Sequence, residues 1–63
     1  HGIVYVGQWN INYQRHGYGK QYWPNGNIYE GNWEKSKSNG LGRMIYGNGN
    51  VYEGMFLNGV QHG

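Results

Sequence analysis

The 63-residue sequence contains no cysteine, alanine or aspartate, and its apolar runs are short. Without cysteine the chain can form neither a disulfide nor a thiolate zinc site, and we expect a reducing, cytoplasmic setting. No run approaches the ~20 apolar residues that a transmembrane helix needs. Without aspartate there is no Ser-His-Asp triad. These absences argue against a disulfide-rich secreted domain and against a membrane-spanning helix in this sequence.

Glycine and aromatic residues dominate the composition instead. The chain has 13 glycines, 7 tyrosines, 3 tryptophans and 1 phenylalanine. Because each glycine costs roughly 1 kcal/mol in a helix relative to alanine, this composition disfavours helix. The net charge of +2 is too small an excess to imply a nucleic-acid partner. A chain this short rarely stabilises itself with one hydrophobic core, so neighbouring units must share their packing.

A pattern of tyrosine, glycine and a second aromatic residue recurs along the chain. Tyr29 follows Tyr5 by 24 positions, and Tyr52 follows Tyr29 by 23. The repeated structural positions are Tyr5, Gly7, Trp9, Gly17, Gly19, Tyr29, Gly31, Trp33, Gly40, Gly42, Tyr52, Gly54 and Phe56. The extra residue of the first unit falls between Trp9 and His16, and an insertion tolerated there indicates a loop. Such a period is the signature of a repeat protein.

Alternation with a period of two predicts that each repeat is a β-hairpin. The predicted strands are Ile3–Trp9, Gly17–Trp23, Ile28–Trp33, Gly40–Tyr46 and Val51–Phe56, and the third hairpin is predicted to end before its return strand. Loops are predicted at Asn10–Arg15 and Glu34–Ser38, and tight turns at Pro24–Asn27 and Gly47–Asn50.

Aromatic rings lying over strand glycines form the expected packing unit, with tyrosine and tryptophan both in that role. One hairpin is marginal alone, so successive hairpins must pair edge to edge or stack. The predicted fold is therefore all-β: tandem antiparallel β-hairpins that form an elongated, twisted single-sheet repeat array.

Three motifs together resemble the MORN repeat: Tyr-Glu-Gly-x-Trp at 29–33, His-Gly-x-Gly at 16–19, and aromatic-Pro-Asn-Gly at 23–26. The resemblance covers one unit at 5–28, a second at 29–51 and a partial third at 52–63, with 1–4 as the turn remnant of a preceding repeat. The departures from the pattern are Val6, Asn39, Leu41 and Phe56, where other units carry Glu, His, Tyr and Trp. We expect the chain to be a piece of a longer array.

The resemblance implies a scaffold rather than a catalyst. Proteins with such repeats occur in ciliary axonemes, at cortical and cytoskeletal structures, at membrane junctions, and attached to enzymes whose activity lies outside the repeats. The expected function is a structural scaffold and protein-protein interaction module of a larger cytoskeletal, ciliary axonemal protein, with self-association through repeat ends. Two alternatives stay open: a peripheral membrane module that binds acidic phospholipids, and a repeat region attached to a catalytic domain outside this sequence.

Most of the residues capable of acid-base chemistry recur at equivalent repeat positions. They are His1, His16, His62, Glu30, Glu34 and Glu53. Repetition favours a structural role, such as a hydrogen bond to a neighbouring turn. Three scattered histidines give no metal motif, and neither the P-loop motif nor the dinucleotide-binding glycine motif is present. We expect no catalytic, metal or cofactor site.

Two sets of side chains are candidates for contacts with partners. The candidates for protein contact, which alternation places on the face opposite Trp9 and Trp33, are Tyr18, Tyr22, Leu41 and Ile45. The candidates for lipid contact are Lys20, Lys35, Lys37 and Arg43. Four cations are at the lower limit of the about 4 to 8 clustered ones that recruit anionic lipid. Packing over glycine explains the aromatics better than stacking on single-stranded nucleic acid does.

Overall fold

The computed structural model describes residues 2–62, and these form six β-strands and no helix. The strands are β1 (Val4–Trp9), β2 (Arg15–Tyr22), β3 (Ile28–Glu34), β4 (Lys37–Ile45), β5 (Val51–Leu57) and β6 (Val60–His62). They lie in chain order in one antiparallel sheet. The molecule measures 35 × 30 × 14 Å, which is a single layer. The predicted all-β array of antiparallel hairpins in one sheet, paired edge to edge, is confirmed.

The third hairpin has a return strand, so the prediction that it lacks one is wrong. Strand β6 pairs with β5 through a two-residue turn at Asn58 and Gly59. Both residues have positive φ, 51° and 86°, as the tight hairpin turn requires. A three-residue strand carries too little alternation to be recognised from sequence, although Asn-Gly is the usual signal for such a turn.

The predicted Glu34–Ser38 loop is also wrong, because β4 begins at Lys37 and only Lys35 and Ser36 connect the strands. These two residues have φ of 50° and 69°, so the chain reverses within two residues although neither is glycine. Polar side chains suggested a loop, but here they belong to strand ends.

The remaining strand bounds shift by a few residues. Arg15 opens β2, so the first loop is shorter than predicted. Val4, assigned from sequence to the turn remnant at 1–4, is the first residue of β1 and pairs with Tyr22. Ile3, Trp23 and Tyr46 lie just outside the strands, and His1 and Gly63 lie outside the described residues.

Five glycines form a row across the sheet, one on each of the strands β1 to β5. In register order they are Gly7, Gly19, Gly31, Gly42 and Gly54. A Cβ atom added at Gly19 would lie 2.5 Å from Cε1 of Tyr5, and one at Gly42 would lie 2.6 Å from Cε1 of Tyr29. Each tyrosine ring therefore occupies space that any other residue would fill, as expected for aromatic packing over strand glycines. Tryptophan, predicted in the same role, supplies none of the nearest atoms at these glycines.

The first hairpin contains a β-bulge, because the β1–β2 register shifts after Gly7. The side chain of Gln8 compensates for the interrupted pairing of the two strands, because its Oε1 accepts a hydrogen bond from the Tyr18 N–H at 2.8 Å. Gly17, next to this contact, has φ of 81°, a conformation that residues with a Cβ rarely adopt. Gly40 repeats it in the second hairpin at 91°. The bulge explains why glycine stands at this repeat position.

Candidate interaction surfaces

Six aromatic rings form a continuous zigzag on one face of the sheet, here called the aromatic row. In spatial order they are Trp9, Tyr5, Trp33, Tyr29, Phe56 and Tyr52. Neighbouring ring centroids are 4.8, 5.5, 5.1, 4.9 and 5.4 Å apart, and each pair meets edge to face. Trp33 and Phe56 each lie between their own tyrosine and that of the preceding repeat. The buried core is made of Tyr29, Trp33 and Phe56.

Each tyrosine of the aromatic row donates its hydroxyl hydrogen to a carbonyl of its own strand. The donors and acceptors are Tyr5 and Gln8 at 2.6 Å, Tyr29 and Asn32 at 2.8 Å, and Tyr52 and Met55 at 3.1 Å. Burial raises the pKa of Tyr29 to about 12, and the neighbouring Tyr18 adds to the rise. The hydroxyl of Tyr29 is therefore a hydrogen-bond donor at neutral pH.

Successive hairpins are also joined through their turns. The N–H of Ser36 donates to the carbonyl of Arg15, and the N–H of Gly59 donates to the carbonyl of Ser38, both at 2.9 Å. The two contacts are equivalent, because donors and acceptors are each 23 positions apart. The turn of one hairpin is thus fixed to the return strand of the hairpin before it.

A groove of about 250 Å³ lies on the same face as the aromatic row, with Arg15, Gln21 and Trp33 among its lining residues. The Arg15 guanidinium lies 4.9 Å from the Trp33 ring centroid and donates to Gln21 Oε1 and, at 3.1 Å, to the carbonyl of Ser36. Sequence reasoning missed Arg15 and Gln21. Neither recurs in the next repeat, so periodicity carries no signal for them.

The opposite face carries a row of apolar side chains, here called the apolar row, that no part of residues 2–62 covers. In register order it consists of Val4, Tyr22, Ile28, Ile45 and Val51, one from each of β1 to β5. Tyr22 and Ile45, two of the predicted protein-contact residues, belong to it. The other two, Tyr18 and Leu41, are exposed on the same face further along β2 and β4.

A row of alternating charge lies beside the apolar row. This charged row consists of Lys20, Glu30, Arg43 and Glu53 on β2 to β5, and the uncharged Val6 occupies the same register position on β1. Arg43 Nε lies 3.3 Å from Glu53 Oε2, and the Tyr18 hydroxyl donates to Glu30 Oε2 at 2.9 Å. This hydrogen bond raises the pKa of Tyr18. The neighbouring Tyr22 hydroxyl, with a smaller effect of Glu30, raises the pKa of Lys20.

The four cations considered for lipid contact lie in two places. Lys20 and Arg43 stand in the charged row, on either side of Glu30. Lys35 and Lys37 stand at the β3–β4 turn, at the end of the sheet. A single headgroup facing the charged row would therefore meet a carboxylate between its two cations. The structure does not bring the four side chains into one cluster.

The β1–β2 loop, Asn10–Gln14, departs most from the repeat. Its side chains Ile11 and Tyr13 are 91% and 88% exposed. Asn10 takes part in all five hydrogen bonds within the loop, at 2.9–3.0 Å, with Asn12, Tyr13 and Gln14 as partners. Tyr13 has φ of 60°, which is rare for a bulky residue. The sequence predicted a loop here but not that it would hold two large apolar side chains in water.

Some of the candidate acid-base residues make hydrogen bonds or ion pairs within the sheet, and others are exposed. No three histidine or acidic side chains within residues 2–62 come together as a metal site. His16 is exposed, and Asn39, its equivalent, accepts a hydrogen bond from the Asn58 N–H at 3.2 Å. The hydrogen bond to a neighbouring turn, predicted for the recurring histidines and glutamates, is thus made by Asn39, whereas Glu30 accepts from the Tyr18 hydroxyl and Glu53 pairs with Arg43. No helix long and apolar enough to cross a membrane occurs in the described part of the chain.

Repeated hairpins that share one row of aromatic rings define a β-hairpin repeat protein. The sequence profile of the MORN repeat matches residues 5–28, 29–51 and 52–63. The chain therefore belongs to the MORN repeat family, as the resemblance predicted. A comparison with curated proteins finds no match. The MORN repeat is a non-catalytic module, and such repeats commonly serve as scaffolds for interactions with proteins or membranes.

Proposed function

We propose that the chain is a structural scaffold that docks other proteins, within a larger cytoskeletal protein of the ciliary axoneme. The observation that carries this proposal is the apolar row. The sheet buries its own aromatic core on the other face, so the apolar row is left facing water across five strands. A contiguous apolar surface of this kind is typical of a protein-protein contact.

The exposed side chains beside the apolar row are also of types that occur in protein-protein contacts. Tyr18, Leu41 and Met55 are exposed beyond the charged row, and tyrosine and methionine are enriched in protein interfaces. The charged row between them alternates in sign, which favours one alignment of a partner over others more than it adds affinity. A partner strand or helix that lies along the apolar row, or along Tyr18, Leu41 and Met55, would meet these charges at a fixed spacing.

The cytoskeletal and axonemal setting rests on the proteins in which such repeats occur. Self-association through the repeat ends is part of the same proposal. Strands β1 and β6 are the outer strands of the sheet, and each leaves one edge without a partner strand within residues 2–62. Unpaired strand edges are the usual sites of pairing between chains.

A peripheral membrane module is the second candidate, and the charges favour it less. Attraction to anionic lipid is worth about 1 kcal/mol per cation near the surface. Glu30 and Glu53 stand beside Lys20 and Arg43 and offset that attraction. A repeat region attached to a catalytic domain remains compatible with either candidate, because docking and catalysis would then lie in different domains.

Fractionation of the full-length protein in its own cells tests the scaffold proposal. The wild type should stay with the detergent-insoluble cytoskeleton, and the double variant Tyr22→Ser, Val51→Ser, with both changes in the apolar row, should be released severalfold more. Val60→Ser is the matched control, since it removes an exposed apolar side chain outside the apolar row. Thermal melting checks that each variant is folded. Extraction of the wild type by detergent, or equal retention of the double variant, would overturn the proposal.

Vesicle co-sedimentation separates the membrane candidate. Binding that requires acidic lipid, persists at physiological salt and falls in the variant Lys20→Glu, Arg43→Glu would place the membrane module first. Exposed charges are screened over about 8 Å at that ionic strength, whereas an apolar protein contact persists.

A further inference from the structure

The repeats differ from one another most at the β1–β2 connection. The second and third hairpins close with two-residue turns, Lys35–Ser36 and Asn58–Gly59, whereas the first uses the loop Asn10–Gln14. The contacts of the aromatic row recur in every repeat. The longer loop occurs in one of the three hairpins, and its side chains Ile11 and Tyr13 take no part in that row.

The loop presents large apolar side chains to water. Ile11 and Tyr13 are almost fully exposed, and Trp9 at the start of the loop is 55% exposed. Ordinary turn positions carry Gly, Asn, Asp, Pro or Ser, and Tyr13 adopts a positive φ that its side chain disfavours. A residue choice that breaks local rules with no gain in folding is characteristic of a functional site.

The loop is held in one shape. Asn10 closes it with backbone and side-chain hydrogen bonds at both ends, and its amide also bonds Gln14 Oε1 at 2.9 Å. A preorganised loop loses little conformational entropy on binding. Ile11 and Tyr13 are therefore presented at a fixed separation.

The surroundings of the loop are positively charged. Arg15 directly follows it, and the contact between Arg15 and Ser36 brings the β3–β4 turn, with Lys35 and Lys37, beside its end. Glu34 is the one acidic residue of the three in the sequence that lies at this turn. An occupant with carboxylates around its binding site would match these charges.

We propose that the Asn10–Gln14 loop is a preformed docking element whose Ile11 and Tyr13 side chains enter an apolar pocket rimmed by carboxylates on a partner protein. The inference rests on the proposed scaffold function and names a second, separate contact surface. Tyr and Trp are among the residue types that dominate protein-protein binding energy, and Tyr13 lies in this loop with Trp9 at its start.

A protein pocket suits the loop better than a bilayer does. The amide side chain of Asn12 stands between the two apolar residues in the sequence and would leave water together with them. A protein surface can supply hydrogen-bond partners for amides, but hydrocarbon cannot. The fixed pose of the loop likewise adds specificity for a shaped pocket and adds little for a fluid surface.

Site-specific photo-crosslinking in the full-length protein, in its own cells, tests the inference. Crosslinkers at positions 11 and 13 should label one site on one protein, and that site should be an apolar pocket with Asp or Glu at its rim. A crosslinker at Asn48, exposed in a turn at the other end of the sheet, is the control. Labelling no stronger than at Asn48, scattered labelling, lipid adducts, or a site without carboxylates would each overturn the inference.

The second test measures the affinity of the variants for the partner that the crosslinks identify. Ile11→Ser and Tyr13→Asn should each weaken binding about tenfold or more, and Val60→Ser should leave it unchanged. Asn tolerates the φ of position 13, so the loop keeps its shape in that variant. Unchanged binding in both loop variants contradicts the inference.

Crosslinkers on the sheet face separate this inference from the scaffold proposal. Protein labelling from position 41 with none from positions 11 and 13 would leave the scaffold proposal standing and reject the loop. Absence of protein labelling from all three positions would reject both.

Discussion

The Asn27 side chain accepts a hydrogen bond from the Gly47 N–H at 2.8 Å and so ties one Asn-Gly turn to the next. At the corresponding place one repeat earlier, the pair is Ile3 and Pro24. Ile3 has no side-chain acceptor and Pro24 has no N–H, so both halves of the contact are absent together. Of the two places compared within residues 2–62, the second has this hydrogen bond and the first does not.

Replacing Asn27 with Ala measures how much this hydrogen bond contributes to stability. We expect the free energy of unfolding to fall by about 1 kcal/mol, the usual worth of one hydrogen bond. Asn50→Ala is the matched control, because Asn50 occupies the same turn position and its side chain forms no hydrogen bond within residues 2–62. Urea denaturation of both variants measures the difference, and equal losses would contradict the assignment.

Trp33 and Trp9 occupy equivalent positions but should differ in their contributions to stability. Trp33 is 6% exposed, meets two tyrosine rings, and donates its indole N–H to the Gly19 carbonyl at 3.1 Å. Trp33→Ala should cost about 3–5 kcal/mol, whereas Trp9→Ala, with one ring neighbour, should cost about 1 kcal/mol. Urea midpoints give the comparison. Similar midpoints for the two variants would show that the shared ring contacts contribute little.

Trp33→Phe separates the indole hydrogen bond from the ring packing. Phe56 stands at this position in the third repeat, so a phenyl ring fits the site. We expect a loss of about 1 kcal/mol or somewhat more, far less than for Trp33→Ala. A loss as large as that of Trp33→Ala would mean that a phenyl ring cannot replace the packing of the indole ring, so that the lost N–H is not the main cause.

The β3–β4 turn should be open to stabilisation. Lys35 and Ser36 have φ of 50° and 69°, which costs most residues other than glycine about 1 kcal/mol, while Asn, whose short polar side chain can hydrogen-bond locally, accepts it more readily. Lys35→Asn should therefore raise the free energy of unfolding by about 0.5–1 kcal/mol. Asn58→Lys, the reverse change at the equivalent turn, should lower it by a similar amount. A Tm that moves the same way in both variants would contradict the argument.

Alkaline pH should weaken the fold through Tyr29. Its pKa is raised to about 12 in the folded state from an ordinary value of 10.0, so folding favours the protonated phenol. The stabilisation is complete below pH 10 and is lost as the pH rises from about 10 to 12. Melting temperatures followed across this range, with tyrosinate absorbance, measure the effect. In Tyr29→Phe the loss over this range should be smaller, and an identical loss would show that other groups cause it.

The period of the sequence was enough to predict the first two hairpins, the opening strand of the third, the tyrosine–glycine packing and the face on which Tyr18, Tyr22, Leu41 and Ile45 lie. Alternation determines the face of a strand residue once the strand is recognised. It does not determine which residues of neighbouring strands stand opposite each other. For that reason the sequence showed four cations but not that Glu30 would lie between Lys20 and Arg43.

Contacts made by residues that occur once were harder to predict. Arg15 joins the first hairpin to the second through Ser36, Gln21 and the Trp33 ring, yet its equivalent in the next repeat is Ser38. A comparison of the repeats identifies the residues that they share and gives no information on residues that occur once. The turn at Lys35–Ser36 was missed for a related reason, because the residues there are not those that tight turns usually carry.

Beyond the pairing of β2 with β3 and β4 with β5, the hairpins are joined along the aromatic row and at both margins of the sheet. At one margin the turn contact from Ser36 to Arg15 is repeated by Gly59 and Ser38, and at the other the hydrogen bond from Gly47 to Asn27 joins two turns. A thin ribbon held only along its middle can fold or twist about that line. One that is also held at both margins resists bending and torsion. The sheet should therefore behave as a stiff strip, so that anything bound to neighbouring hairpins is kept at a constant separation under load.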